Sequence, residues 1–424
     1  MIPRRHFLKQ TGAATAVISA LGAALLPRFS VGAESPKPRG GDKLIVINDD
    51  GFSEFYSGAY KSAADLRKRM LSFKDTQVAI MEWCITSGSR VNFPAKTSEL
   101  VGTGVAEFGR RGDQLATETL RRLADEGVDT LQVVAQSCRE AGVLCYASMR
   151  MNGDYAMQTG SPGDLLNSNF YRANPEFRVR GPKGEQRIVM SYAFPKVREF
   201  KLAILRAASE RDIDGVQLDF LRHPPFFGYE EPLVQAFTKK YGEDPRTLAA
   251  DDLRWLKLRA DVMTDFLRDI RRMLDEAGAK KGRRIGLAAR VDWREYRALG
   301  CDIETWLRDG LPDYLALAQH SLGGYEFDLA PFVKMARGSG CAVLFGEEGI
   351  TSGHDTTAAE DKLIAAGKMA APPRGQLSLE QFQARAARWY AAGADGVHLF
   401  NAGNREVLKT LGSVPAGKEA EPAK

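Results

Sequence analysis

The sequence contains few cysteines and lacks the short motifs of several ligand-binding classes. Its 424 residues include five cysteines, an odd number, and no Cys-x-x-Cys pair. This argues against a disulfide framework and against a structural zinc site. No glycine-rich phosphate-binding loop is present, so no nucleotide cofactor is expected. We therefore expect the chain to fold on its hydrophobic core alone, with neither cofactor nor metal.

Little net charge remains once the amino terminus is set aside. The formal charge is +5, and four of these charges (Arg4, Arg5, Lys9 and Arg28) lie in the first 33 residues, where there is no acidic side chain. The rest of the chain therefore has a net charge of +1, which gives no support for a nucleic-acid partner. Apart from the export signal, no membrane segment is expected.

Residues 1–33 have the features of a twin-arginine export signal. Arg4-Arg5-His6-Phe7-Leu8-Lys9 precedes a weakly apolar run from Ala13 to Leu26 and a small-residue cleavage site at Val31-Gly32-Ala33. The run is shorter than the ~20 residues of a membrane-spanning helix, which disfavours an uncleaved anchor. We predict a periplasmic or secreted protein. Since this route carries folded proteins, the core must form without disulfides.

Eight short apolar runs alternate with helical patterns, which is typical of parallel βα units. Eight strands match a closed (β/α)8 TIM barrel, an α/β fold. The predicted strands are Leu44–Asp49, Gln77–Cys84, Val143–Arg150, Ile213–Asp219, Arg284–Arg290, Tyr314–Gln319, Cys341–Glu347 and Gly396–Asn401. The predicted helices are Ser62–Ser72, Asp113–Glu126, Thr130–Ala141, Val197–Arg211, Asp252–Ala277, Glu304–Asp309, Phe327–Gly338 and Leu379–Ala392.

These elements form a single predicted domain over residues 43–411. A Pro/Gly-rich lead-in (34–42) and a polar tail (412–424) are expected to be flexible. The barrel is longer than the ~250 residues typical of the fold. The excess lies in residues 152–196 and 221–252, after the third and fourth strands, so both long loops belong to the carboxyl face. The fourth and eighth strands share an Asp-Gly entrance, Asp214-Gly215 and Asp395-Gly396.

Polar and ionisable groups follow the carboxyl end of every predicted strand, the face that carries function in this fold. Alternation along a strand places Gln217 and Asp219 inside the barrel, and likewise Arg290 and Asp292. For Asp219, the alternative is a structural ion pair with Arg222 that closes the barrel top. The predicted substrate-binding residues are Asp50, Glu82, Arg150, Asn152, Arg222, His223, Arg290, Asp292, His320, Glu348, His398 and Asn401.

Two carboxyl groups ~5–10 Å apart are what glycoside cleavage requires. Asp219 supplies one. Next to Arg222 it is expected to stay ionised, which favours the role of nucleophile or charge stabiliser over that of acid. Glu347 is the first candidate for the second catalytic carboxylate, followed by Glu348, Asp292 and Glu82; alternatively, Glu347 only hydrogen-bonds Arg290. The aromatic residues that follow strands, and that are candidates for stacking on sugars, are Trp83, Tyr155, Tyr192, Phe226, Phe227, Trp293 and Tyr325.

Four stretches resemble the bacterial glycosyl-hydrolase-like family 10 proteins, over most of the chain that follows the export signal. They are Ser148–Asn152, Asp214–Pro224, Arg290–Asp292 with Gly300–Trp306, and Ala391–Asn401. The resemblance implies a barrel and carbohydrate chemistry. It equates the family's strand-four aspartate with Asp219 and its strand-five arginine with Arg290. The family's strand-five motif usually continues with proline, where this chain has Asp292, so any role of Asp292 is particular to this sequence.

The leading hypothesis is an exported glycosidase that acts on a carbohydrate substrate. One alternative is a metal-dependent sugar isomerase or epimerase, since Glu82, Asp219, His223 and Glu347 carry possible ligand atoms for a divalent cation. Another is a catalytically silent glycan-binding barrel. An amidohydrolase is disfavoured because Ile47–Gly51 stands where such enzymes carry His-x-His. The sequence predicts neither the sugar, nor the linkage, nor the oligomeric state.

Overall fold

The computed structural model of the chain describes residues 35–319, 328–352, 358–370, 373, 375–401 and 404–417. The predicted export signal, His320 and Tyr325 lie outside these residues. Within the described residues, no helix combines the length and the apolar character that crossing a bilayer requires.

Eight parallel strands close into a barrel, which confirms the predicted (β/α)8 fold. Each strand pairs with the next along the chain, and the last closes on the first, with Leu44 opposite Gly396. Each predicted strand overlaps its observed counterpart. The strands are β1 (Leu44–Asp49), β2 (Val78–Cys84), β3 (Leu144–Arg150), β4 (Gly215–Asp219), β5 (Gly286–Asp292), β6 (Tyr314–Ala318), β7 (Ala342–Glu347) and β8 (Gly396–Phe400).

Helices connect the strands around the outside of the barrel. Those in the described residues are α1 (Ser53–Tyr56), α2 (Ala63–Leu71), α3 (Arg111–Asp125), α4 (Thr130–Glu140), α5 (Pro162–Leu166), α6 (Asn169–Ala173), α7 (Pro195–Ser209), α8 (Glu231–Tyr241), α9 (Leu253–Lys281), α10 (Ile303–Arg308), α11 (Ala330–Ala336), α12 (Ala358–Ala365), α13 (Leu379–Ala391) and α14 (Arg405–Thr410). The predicted helices correspond to α2, α3, α4, α7, α9, α10, α11 and α13. The longest, α9, begins where the Asp252 side chain accepts the Arg254 N–H and ends at the left-handed Gly282.

The long loops contain further short elements. Residues 152–196 include α5, α6, a 3-10 turn (Pro175–Phe177) and a hairpin of Arg178–Arg180 with Gln186–Met190, while residues 221–252 include α8 and a 3-10 turn (Pro245–Thr247). Two more hairpins follow β2 (Thr86–Ser87 with Arg90–Val91) and β7 (Ile350–Ser352 with Gly375–Gln376). The carboxyl rim therefore carries a wall of short elements on several sides.

Apolar side chains fill the lower half of the barrel interior. The inner cluster includes Leu44, Val46, Ile80, Tyr146, Tyr314 and Leu344. Glycine begins β4 and β5 because Tyr146 occupies the space that a side chain would need: a Cβ on Gly215 would lie 2.3 Å from its ring, and one on Gly286 would lie 2.1 Å from its hydroxyl. The interior is thus closed below the rim.

Three aspartates at the amino rim form the same contact before β4, β6 and β8. Each side chain accepts a backbone N–H from the preceding strand (2.8–2.9 Å), and each aspartate N–H donates to the carbonyl of that same residue (2.7–2.9 Å). The pairs are Asp214 with Cys145, Asp313 with Leu287, and Asp395 with Val343. The aspartate that the sequence shows before the fourth and eighth strands therefore has a counterpart before the sixth.

Described residues on either side of the barrel, Arg39–Lys43 and Gly412, pack against the amino rim, although composition predicts that residues 34–42 and 412–424 are flexible. The Gly412 carbonyl accepts the N–H groups of Asp42 and Lys43 (3.0 and 3.1 Å). The Arg39 guanidinium donates to the carbonyls of Phe73 and Ala141 (3.1 and 2.8 Å). These backbone acceptors are long-range partners that local composition does not reveal. Residues 418–424 of the predicted tail lie outside the described part.

Candidate active site

Three charged side chains stand side by side at the carboxyl rim. Arg150, Asp219 and Arg290 are register partners on β3, β4 and β5, and each is at most 6% exposed. One oxygen of Asp219, Oδ1, accepts the Leu221 N–H at 3.0 Å, and the other, Oδ2, lies 3.5 Å from Arg290 Nη1. Among the described residues, Asp219 therefore forms its ion pair with Arg290, and not with Arg222 as the structural alternative supposed.

Arg290 links Asp219 to a second carboxylate, that of Glu348. Arg290 Nη2 donates to Glu348 Oε1 at 3.1 Å, and the Glu348 side chain is 20% exposed. The Phe400 ring lies against this arginine, with its centroid 4.4 Å from the guanidinium carbon. Phe400 was not among the predicted site residues, although its spacing of two from His398 indicates that both face inward.

Glu347 faces the helices, so the prediction that it joins Asp219 in the barrel mouth is wrong. Its Oε2 accepts from Arg385 of α13 at 2.7 Å, and its Oε1 accepts the Gly349 N–H at 2.9 Å. Side-chain alternation is the physical reason, because Leu344 belongs to the inner cluster and Glu347 lies an odd number of residues beyond it. The alternative pairing of Glu347 with Arg290 is wrong as well, since Glu348 makes that contact.

Glu82 and His398 lie below the rim, in a closed layer of hydrogen-bonded polar groups. Both are 0% exposed, and His398 Nε2 lies 2.8 Å from Glu82 Oε2. Glu82 also accepts from Asn48 Nδ2 (2.7 Å) and from the Tyr314 hydroxyl (2.6 Å). Their predicted role in substrate contact is therefore corrected to support of the rim from beneath, because no surface of either side chain is accessible.

The side chains of Asn152 and Asp292 form hydrogen bonds with the backbone of loops at the carboxyl rim. The Asn152 amide donates to the carbonyls of Met190 and Pro225 (3.1 and 3.2 Å), and so ties the two long insertions together. Asp292 Oδ1 accepts the N–H groups of Arg294 and Glu295 (2.8 and 3.0 Å). Both side chains are buried. The structure thus gives them loop-positioning contacts rather than the predicted substrate contacts.

Asp50 and Asn401 fasten the end of β1 to the end of β8. The Asp50 N–H donates to Asn401 Oδ1 (3.0 Å), and Asn401 Nδ2 donates to Asp50 Oδ2 (3.2 Å). Burial acts to raise the pKa of Asp50, but Arg150 and hydrogen bonds from Ser53 outweigh it, so the pKa is lowered. Both residues remain at the mouth, in reach of a ligand.

Arg222 and His223 follow β4 and border the mouth. The Arg222 guanidinium lies over the Phe400 ring at 5.4 Å, and the His223 ring meets Tyr155 edge-on at 4.9 Å. His223 and Asn401 both have φ of 49°, which is uncommon for non-glycine residues and concentrates at functional sites. Of the aromatic residues predicted to stack on sugars, Trp83, Tyr192, Phe226 and Phe227 are buried in the core.

Asn48 and Asp50 face inward, so Asp49, which lies between them, faces the helix layer. Burial, with a smaller contribution from Asp50, raises its pKa from 3.8 to about 6. Ionising Asp49 therefore costs folding stability, a cost that is absent below about pH 4 and complete above about pH 6. Asp49→Asn is expected to raise the free energy of unfolding by about 3 kcal/mol near pH 8 and to leave it unchanged near pH 4. Urea unfolding at both pH values tests this, and an equal effect at both would contradict it.

The four side chains proposed as metal ligands are not brought together. Glu82 is enclosed with His398, Glu347 faces α13, and Asp219 lies beside Arg290. A search of the described ranges finds no group of three or more His, Cys, Asp or Glu side chains placed to hold a metal ion.

Three solved structures of glycan-active proteins are similar to this chain. A cycloisomaltooligosaccharide glucanotransferase from Paenibacillus sp. aligns with a TM-score of 0.43 and 12% identity over 72% of this chain, which spans only 38% of that protein. A glycoside hydrolase family 18 N-acetylglucosaminidase from Paenibacillus barengoltzii gives 0.42 and 13%, covering 88% of this chain and 98% of that one. A family 18 chitinase from Chromobacterium violaceum gives 0.42 and 14%, covering 85% and 67%.

No curated protein matches the sequence. A family model does: glycosyl hydrolase-like 10 matches residues 106–321, just over half of the chain. The matched segment carries Arg150, Asp219, Arg222 and Arg290 but ends before Glu348. The resemblance inferred from the sequence motifs is confirmed, and the chain belongs to the glycosyl hydrolase-like 10 family.

Proposed function

We propose that this protein hydrolyses glycosidic bonds with Asp219 and Glu348 as its two carboxylates. The observation that carries the proposal is that one guanidinium, that of Arg290, contacts both. Arg290 Nη1 lies 3.5 Å from Asp219 Oδ2, and Arg290 Nη2 lies 3.1 Å from Glu348 Oε1. Since both nitrogens belong to one planar guanidinium, the two carboxylate oxygens are at most about 9 Å apart. Carboxyl separations of ~5–9.5 Å span the two glycosidase mechanisms.

The surroundings of the two groups suggest different roles. Asp219 is almost fully buried and lies between Arg150 and Arg290, so it suits the part that carries negative charge, as nucleophile or as stabiliser of the cationic sugar. The Glu348 side chain is 20% exposed and can exchange protons with solvent. We assign it proton transfer to the leaving oxygen, once bound substrate displaces its contact with Arg290.

A glycan panel tests the reaction itself. The purified chain without residues 1–33 is incubated with neutral and acidic oligo- and polysaccharides, and new reducing ends are measured. Release of reducing ends from at least one glycan is the expected result. Affinity without product would instead identify a silent glycan-binding barrel. Sugar interconversion lost on removal of stoichiometric Mn, Mg, Zn or Co would identify the isomerase.

We further propose that the protein is exported through its twin-arginine signal. All five cysteines are buried and free, so the fold depends on no bond that the cytoplasm would prevent. Replacing Arg4 and Arg5 together by Lys keeps the charge and is expected to leave the full-length chain in the cytoplasm. Cell fractionation measures this, and an unchanged periplasmic or secreted fraction would contradict it.

A further inference from the structure

A cavity of about 830 Å³ opens at the carboxyl rim, where it is lined by the segments that follow β1, β2, β3 and β4 and by α12. This volume lies in the ~300–1,000 Å³ range of small-molecule sites. Five of the lining side chains are basic and two are acidic. We call it the rim cavity, and the lining residues that matter below are Asp50, Arg110, Asp113, Arg150, Tyr155 and Arg222.

The two acidic residues of the rim cavity already have partners. Asp113 is 2% exposed and is paired with Arg110 through two hydrogen bonds (3.1 and 2.8 Å). Asp50 accepts the N–H groups of Phe52 and Ser53 (3.0 and 2.8 Å) and the Asn401 amide. Neither carboxylate is therefore placed to neutralise the remaining arginines by direct contact.

Of the other lining arginines, Arg111 is exposed and donates to Gln114 Oε1 (3.2 Å), which leaves Arg150 and Arg222. Arg150 is only 6% exposed. Among the described residues, neither guanidinium forms a hydrogen bond or an ion pair, and the Nε of each is buried without a partner. The Arg222 guanidinium lies over the face of Phe400. At longer range, Asp219 acts electrostatically on both arginines, and Asp50 acts on Arg150.

A buried guanidinium without a bonded anion is costly, because burial removes the water that would otherwise solvate it. Its planar set of donors matches the oxygens of a carboxylate or of a sulfate or phosphate ester. Burial, reinforced by neighbouring Arg150, lowers the pKa of Arg222, so the two positive charges oppose one another in the unliganded site. A bound anion would relieve both costs.

We propose that the rim cavity is a subsite for an acidic sugar unit, whose carboxylate, sulfate or phosphate group is bound between Arg150 and Arg222. The inference rests on the proposed glycosidase function and names its substrate class. Tyr155 lines the same cavity and offers a ring to the sugar. Because Arg150 is the register partner of Asp219, the acidic unit lies next to the bond that is cleaved.

Calorimetric titration of the chain without residues 1–33 tests the subsite without turnover. The ligands are glucuronic acid, glucose 6-sulfate, glucose 6-phosphate and glucose, and their order of affinity shows which anionic group is preferred. Charged hydrogen bonds of this kind are expected to make the best anionic sugar bind about 10- to 100-fold more tightly than glucose. Arg150→Met and Arg222→Met are each expected to remove most of that difference.

Arg259→Met is the matched control. Arg259 is also buried and stacked on an aromatic ring, that of Trp255, but it lies on α9 and does not line the rim cavity. Arg259→Met should therefore leave the affinities for all four sugars unchanged. Circular dichroism checks folding, and the half-buried Arg222 carries the test if Arg150→Met does not fold.

Equal affinity for glucose and the acidic sugars, no binding of any acidic sugar, or no effect of the arginine variants would each overturn the subsite. Failure of the glycosidase proposal looks different. Acidic-sugar binding without any glycan cleavage would leave the subsite standing and remove the hydrolase. Cleavage of neutral glycans at rates that Arg150→Met and Arg222→Met do not change would leave the hydrolase standing and remove the subsite.

Discussion

Replacing Asp219 by Asn is expected to lower kcat by about 10³-fold or more on any glycan that the protein cleaves. The amide keeps the size of the carboxylate and can still accept the Leu221 N–H, which donates to Oδ1 at 3.0 Å. It removes the negative charge between Arg150 and Arg290 that we propose attacks or stabilises the cationic sugar. Initial rates of reducing-end release measure the effect, and thermal unfolding confirms that the variant is folded.

Asp292→Asn is the matched control for Asp219→Asn. Asp292 ends β5, on the strand beside Asp219, and is nearly as buried, but its Oδ1 only accepts backbone N–H groups of its own loop. Its replacement should change kcat by less than about threefold. If Asp219→Asn turned over glycans at the wild-type rate, Asp219 would have no catalytic role.

Glu348→Gln is expected to lower activity and Glu347→Gln to lower stability, although the two residues are adjacent. Without a proton donor, Glu348→Gln should lower kcat by about 10²–10⁴-fold. Glu347→Gln should leave kcat unchanged and lower the free energy of unfolding by about 1–3 kcal/mol, because its buried carboxylate accepts from Arg385 of α13. Reducing-end assays and urea unfolding of both variants provide the comparison.

The assigned role of Glu348 has its own test. A leaving group that departs readily without protonation, such as dinitrophenolate, should be released by Glu348→Gln almost as fast as by the wild type. A loss of similar size for dinitrophenyl and natural glycosides would refute proton donation by Glu348. A large loss of kcat in Glu347→Gln, with Glu348→Gln unaffected, would reverse the assignment.

The barrel strands could be predicted from sequence because each combines a short apolar run with polar residues at its carboxyl end. For β4 and β5 the alternation also gave the inward direction of Asp219 and Arg290. On β7, the same alternation through Leu344 and Gly346 points Glu347 outward, which agrees with its contact with Arg385 and not with a place in the barrel mouth. Glu348 lies beyond the last strand residue, so its contact with Arg290 depends on loop geometry that alternation does not determine.

Depth inside the barrel and the structure of the insertions could not be predicted. Glu82 and His398 sit at strand positions like those of rim residues, yet the stagger of the strands encloses them with Tyr314. The insertions were predicted only as long loops, because their helices and hairpin are too short for a clear period. They are held by tertiary contacts such as those of Asn152 with Met190 and Pro225.

The three aspartates of the amino rim fix the register of three strand pairs, β3 with β4, β5 with β6, and β7 with β8. Asp214, Asp313 and Asp395 each clamp the start of one strand to the backbone of the one before it. A displacement of one residue would turn every side chain of a strand to the opposite face and would point Asp219 or Arg290 into the helices. The orientation of the reactive rim is thus set from the far end of the molecule, where no substrate need ever reach.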